Sequence, residues 1–157
     1  MTAVQTLANP PDVVALIPAR FGATRFPGKP LALLWGKPKI TWVRQKVVQC
    51  DAVSHVFVAT DDDRIAQAVL SDGGQVVMTR PDHPSGTDRV WEAYQTLLSN
   101  GTLAPALPHQ PRWILNVQGD EPLIDPRLLA QLIAVAQRVP DAQIITAVTP
   151  FASAAQW

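Results

Sequence analysis

Leu16-Ile17-Pro18-Ala19-Arg20-Phe21-Gly22-Ala23-Thr24-Arg25-Phe26-Pro27-Gly28-Lys29-Pro30 is the stretch on which the reading of this chain turns. The run Val13 to Ile17 before it is apolar, rich in β-branched residues and uninterrupted, which reads as a buried strand. Pro18 offers no ladder donor and is expected to end that strand. The loop that follows carries three cations, Arg20, Arg25 and Lys29, and two glycines. Glycine lets backbone approach a ligand closely, and an arginine fork grips phosphate oxygens. Such a loop suits several negative charges at once, as a triphosphate carries them. The plainer alternative is a solvated basic surface loop. Two generic phosphate motifs are absent. Five residues rather than four separate Gly22 from Gly28, Pro30 stands where a P-loop has Ser or Thr, and no G-x-G-x-x-G occurs.

Outward from that loop, the chain alternates strands and helices. A helix with Ile40, Val43, Val47 and Val48 inward runs to about Gln49, after Pro38 at its first turn. Val56 to Ala59 is a second strand, and Asp61 or Asp62 caps the next helix, with Ile65, Ala66, Val69 and Leu70 inward. Gly73 and Gly74 close that helix. Val76 to Thr79 is strand three, followed by a loop from Arg80 to Asp88. There Ser85 and Asp88 resemble a capping box for a helix lined by Val90, Tyr94, Leu97 and Leu98. Residues 99–112 form a surface connection. Trp113 to Val117 is strand four, followed by Gln118-Gly119-Asp120-Glu121-Pro122. Asp125 and Pro126 open a helix with Leu128, Leu129, Leu132 and Ile133, and Ile144 to Val148 is strand five. Trp35, Trp42, Trp91 and Trp113 lie in or beside apolar patterns and are expected in the core.

This order predicts an α/β fold: a Rossmann-like, mostly parallel sheet with flanking helices. Ligands bind such sheets beyond the carboxyl ends of the strands, at a topological switch point. The unusual loops, Arg20 to Lys29, Asp61, Arg80 to Asp88 and Gln118 to Glu121, all follow strands and should open on one edge.

Composition narrows the function classes. With 157 residues the chain is one domain, a loose tail over 1–11 and a nucleotide-binding body over 12–157. Its 47% hydrophobic and 17% charged residues exclude disorder. A formal net charge of zero argues against nucleic acid or an anionic membrane as partner. The single cysteine, Cys50, reads as packing. No apolar run is long enough to insert in a membrane and no signal peptide is legible, so a cytoplasmic location is expected.

Asp120, next to a glycine after a buried strand, suits a magnesium ion bound to phosphates, which takes one or two carboxylates; Glu121 would support it. The alternative is that Asp120 only orders a turn. His83 has no second His or Cys at zinc spacing, and no nucleophile elbow surrounds Ser85. A basic loop, a metal-capable aspartate and this sheet together imply metal-assisted nucleotidyl transfer, in which positioning and charge neutralisation do most of the work.

Five segments in order then carry a specific resemblance: Ile17 to Arg20, Thr24 to Leu31, Ala59 to Asp62, His83 to Arg89 and Asn116 to Pro122. Over residues 13–150 the chain resembles the 3-deoxy-manno-octulosonate cytidylyltransferases (CMP-Kdo synthetases), of nucleotide-diphospho-sugar transferase type. Sialic-acid cytidylyltransferases share the opening loop, but their counterparts of Ser85-Gly86-Thr87 and Gln118 to Pro122 differ. The resemblance implies transfer from CTP to Kdo, giving CMP-Kdo and pyrophosphate for lipopolysaccharide biosynthesis. It implies that Arg20, Arg25 and Lys29 hold the triphosphate and Asp120 binds Mg2+. Arg80, Ser85 and Gly86 would face the cytidine, with Gln118 between nucleotide and sugar. Family members continue well past residue 157, where a second metal-binding aspartate, most of the Kdo pocket and the dimer surface lie. The chain therefore reads as truncated, inactive and aggregation-prone by itself, with a homodimer expected only for the complete protein. The alternatives are another sugar nucleotidyltransferase of the same fold and a non-catalytic nucleotide-binding fragment.

Overall fold

A computed structural model describes residues 13–22, 26–103 and 110–148. The expected tail over 1–11, Arg25 and part of the 99–112 connection lie outside the described residues. In chain order the elements are β1 (Val13–Ala19), a 3-10 turn (Lys29–Leu31), β2 (Leu33–Leu34), β3 (Lys37–Pro38) and α1 (Lys39–Val48). Then come β4 (His55–Thr60), α2 (Asp63–Ser71), β5 (Gln75–Met78), α3 (Gly86–Ser99), β6 (Trp113–Asn116) and α4 (Pro126–Arg138).

The main sheet is parallel, in the order β5-β4-β1-β6. β1 lies between two partners and under helices on both faces, so all seven of its residues are buried, which explains its unbroken apolar run. Alternation sorts the core into two layers. Val13, Ala15 and Ile17 pack with Ile40, Val43 and Val47 of α1, Val69 of α2 and Ile133 of α4. Val14 and Leu16 pack on the other face with Val90, Ala93 and Leu97 of α3.

Four expectations need correction. Pro18 does not end β1; it is paired within the strand, opposite Ala59. Leu16 O accepts from Val117 N at 3.1 Å, and alternate residues turn their backbone groups to the same side. The Pro18 nitrogen therefore faces the β6 side, beyond the last paired position, Leu16 with Asn116, where no donor is required. Residues 144–148 form no strand, with Ile144 and Val148 above 80% exposed. β-branched composition favours a strand only where a neighbouring strand or core receives it, and nothing among the described residues pairs with this segment. Val48, Leu70 and Leu128 are exposed at the margins of their helical stripes. Trp35 and Trp91 are exposed rather than in the core.

The helix starts follow their capping residues. Asp62 accepts from Arg64 N, Ser85 from Asp88 N and Asp125 from Arg127 N, each satisfying a donor that the first turn leaves free. Among the described residues no helix is long and apolar enough to cross a membrane.

Candidate active site

The strand order runs one way from β1 through β4 to β5 and the other way to β6, so the direction reverses beside β1. The loops after β1 and β6 part at that point and leave a cavity of about 530 Å³. Its size suits a small-molecule ligand.

The loop after β1 supplies Arg20, Phe26, Lys29 and Pro30 to the cavity wall. It is folded back by Gly28 N donating to Phe21 O at 2.9 Å. Gly28 has φ +72°, and a Cβ there would meet the Phe21 ring at 2.9 Å, so only glycine closes the loop in this way. The guanidinium of Arg64 covers that ring, 3.4 Å from its centroid. The loop after β6 supplies Gln118, Gly119 and Asp120. A Cβ on Gly119 would stand 2.6 Å from the Pro18 carbonyl oxygen, so this loop lies against the end of β1. The close approach sets Asp120 opposite Lys29: Lys29 Nζ donates to Asp120 Oδ2 at 2.7 Å. That hydrogen bond holds the Asp120 carboxyl below its usual range, against the opposing effect of burial.

From the third loop, His83, Ser85 and Gly86 line the wall. Glu92 of α3 ties this loop down. It accepts from Arg80 N at 3.1 Å and Arg80 Nε at 3.3 Å, and its Oε2 contacts His83 Nε2. Burial pushes the Glu92 carboxyl up, but the bonds from Arg80 and His83 outweigh it and leave it below the ordinary value of 4.5. A depressed carboxylate contributes stability above its unfolded pKa and loses it as pH falls through the folded value. Glu92→Gln is therefore expected to lower stability at pH 7 by about 1–2 kcal/mol. The deficit should shrink below about pH 4.5. Thermal melts of both proteins from pH 7 to pH 3 check this; a deficit constant with pH would mean that the charge is not what holds the loop.

Of the residues singled out in the sequence, Arg20, Lys29, Ser85, Gly86, Gln118 and Asp120 share one cavity. Arg25 lies outside the described residues. Arg80 is exposed, paired with Glu92 and with Asp82 at 3.8 Å, and does not line the cavity. Gln118 Nε2 donates to Asn116 Oδ1 at 3.1 Å. Two wall residues were missed. Lys39, 8% exposed, opens α1 and lines the wall near Lys29. Its pKa is lowered by burial first and by the Lys29 charge second. Arg89, 2% exposed, has Nη1 3.0 Å from Asp61 Oδ1 and donates from Nη1 to Thr79 Oγ1 at 2.5 Å. It thus joins the ends of β4 and β5 to the start of α3.

Residues 14–156 match the family profile described as cytidylyltransferase. The chain belongs to the cytidylyltransferase family. The 8-amino-3,8-dideoxy-manno-octulosonate cytidylyltransferase of Shewanella sp. (strain W3-18-1) is 47% identical over 130 residues, 82% of this chain and 49% of that protein. The 3-deoxy-manno-octulosonate cytidylyltransferase of Cytophaga hutchinsonii is 46% identical over 136 residues, 86% and 49% of the two chains. Among solved structures, CMP:2-keto-3-deoxy-manno-octonic acid synthetase complexed with CTP superimposes with a TM-score of 0.71 at 40% identity. That match covers 82% of this chain and 48% of the other. The chain spans about half the length of the curated cytidylyltransferases it matches.

A cytidylyltransferase site has to hold a polyanion. The described cavity gathers Arg20, Lys29 and Lys39 in a chain whose formal net charge is zero. No cluster of three or more His, Cys, Asp or Glu able to hold a metal occurs among the described residues. An all-protein metal cage is therefore not what the described site offers. A single ionised carboxylate at the cavity fits an ion shared with phosphate oxygens.

Proposed function

We propose that this chain carries the nucleotide site of a CTP-dependent sugar-acid cytidylyltransferase. The acceptor is 3-deoxy-manno-octulosonate or its 8-amino analogue, and the products are the CMP-sugar and pyrophosphate. The observation that carries this reading is the pairing of Lys29 and Asp120 on the cavity wall, a cation for phosphate beside a carboxylate for the accompanying metal. The names of the relatives at 46–47% identity support the sugar class. The reaction belongs in the cytoplasm, where CTP is available.

In the proposed reaction the anomeric hydroxyl of the sugar forms a bond to the α-phosphorus and gives up its proton to water, while the α–β bridging P–O bond breaks and pyrophosphate leaves. Arg20 and Lys29 bind the phosphate oxygens and stabilise the charge that grows on the leaving group. Ser85 and Gly86 stand where the nucleoside would lie, and Gln118 presents its amide between nucleotide and acceptor. Asp120 is the residue that would hold magnesium. When bound, that ion neutralises phosphate charge as a Lewis acid. Arg80 remains paired with Glu92 in this scheme and positions the nucleoside loop rather than touching the base.

Calorimetric titration of the chain with CTP, CMP, UTP and ATP, with and without magnesium, tests the proposal. CTP is expected to bind most tightly, more tightly than CMP, and to gain affinity from magnesium. Asp120→Asn should abolish the magnesium gain without unfolding the protein. Tighter binding of UTP or ATP would favour another nucleotidyltransferase of this fold, and a magnesium gain intact in Asp120→Asn would remove the metal role.

A further inference from the structure

Lys39 sits in a position that physical chemistry disfavours. It is the first residue of α1, where the free backbone N–H groups carry partial positive charge and a cation is repelled. Its neighbour on the cavity wall is a second ammonium, Lys29. Only 8% of the residue is exposed, so water does little to screen that repulsion. The nearby carboxylates offset it only in part, because Asp120 already accepts from Lys29. An ammonium at the cavity wall, on a residue this little exposed and set against a helix N-terminus and another lysine, gains a partner when an anion enters. The cavity that it lines is open to one.

We propose that Lys39 is a further phosphate-binding residue of this site, contacting the terminal phosphates of the nucleotide together with Lys29. The inference rests on the triphosphate reading above and deepens it. It adds to Arg20 and Lys29 a cation held by a helix rather than a loop. A helix fixes the ammonium's origin more closely than a loop does, so less order is lost when the ligand binds. The competing explanation is a structural lysine whose stem covers apolar wall while its charge does nothing.

The two accounts differ in the nucleotide affinity expected of Lys39→Met, which keeps the stem and removes the charge. If Lys39 binds phosphate, the variant melts no lower than the parent, and its affinity for CTP falls about tenfold while CMP changes less than about threefold. Lys39→Arg should retain CTP affinity within about threefold. If the variant binds CTP as the parent does, or loses CTP and CMP equally, the phosphate role is overturned. A parent chain that prefers CTP to CMP alongside an unaffected Lys39→Met removes only this residue's role. A parent that does not distinguish the two nucleotides removes the triphosphate reading as well. Should Lys39→Met fail to fold, Lys39→Gln carries the same comparison.

Discussion

Arg89→Ala is expected to cost about 3 kcal/mol of folding free energy and to lower the melting temperature by about 6–12 °C. The size follows from what the variant leaves behind. The Arg89 side chain is 3% exposed and that of Asp61 is 16% exposed. Removing the guanidinium strands a largely buried carboxylate, and the loss of desolvation compensation exceeds the net value of the pair. Thr79 loses its donor at the same time. The ends of β4 and β5 would no longer be tied to the start of α3, so nucleotide affinity should fall with stability. Replacing both partners, Arg89→Met with Asp61→Leu, should recover most of the stability, because no unpaired charge remains. A single variant within about 1 kcal/mol of the parent would show that the pair bears no such load.

Gly119→Ala should be nearly as damaging, for a steric reason. Its new methyl would meet the Pro18 carbonyl oxygen at 2.6 Å, and that oxygen belongs to the backbone of the central strand, which cannot swing aside as a side chain can. Overpacking of this kind costs about 1–3 kcal/mol. The loop would yield before the strand and carry Asp120 away from Lys29. About a tenfold loss of triphosphate affinity is expected beside the loss of stability. Gly22→Ala is the control for stability, since a methyl there meets nothing within 4 Å among the described residues. Equal melting temperatures for Gly119→Ala and the parent would mean that the loop relaxes freely.

Much of this arrangement was legible in the sequence because it rests on local rules. The unbroken run from Val13 announced a strand covered on both faces, and Ser85, Asp62 and Asp125 announced helix starts. The convergence of Arg20, Lys29, Ser85, Gln118 and Asp120 on one edge followed from their places after parallel strands. The misses share a cause: they depend on what lies opposite. Pro18 violates strand chemistry only if its nitrogen faces a partner, and β6 has stopped pairing before that point. Ile144 to Val148 has the composition of a strand, but composition does not reveal whether a ladder is available. Val48, Leu70 and Leu128 sit at the edges of apolar stripes, where a rotation of a few tens of degrees decides burial. Lys39 and Arg89 were given no role of their own in the sequence reading. Both left a trace. A lysine at the first helical position opposes the dipole rule. Arg89, Ala93 and Leu97 share an i, i+4, i+8 line that places the arginine on the buried face of α3.

The central position of β1 also has a consequence for biosynthesis. Its seven residues precede every other described element in the chain, and Val13 pairs with Trp113, about a hundred positions later. At roughly 5–20 residues per second, the β6 flank stays unpaired for about 5–20 s after β1 is made. During that interval β4 can pair with its other edge and α1 and α3 can cover its faces, but the edge that β6 will occupy stays open. The nascent chain must therefore protect its most hydrophobic segment by early β1–β4 docking or by a holding chaperone. Slowing translation between β4 and β6 should reduce the yield of folded protein.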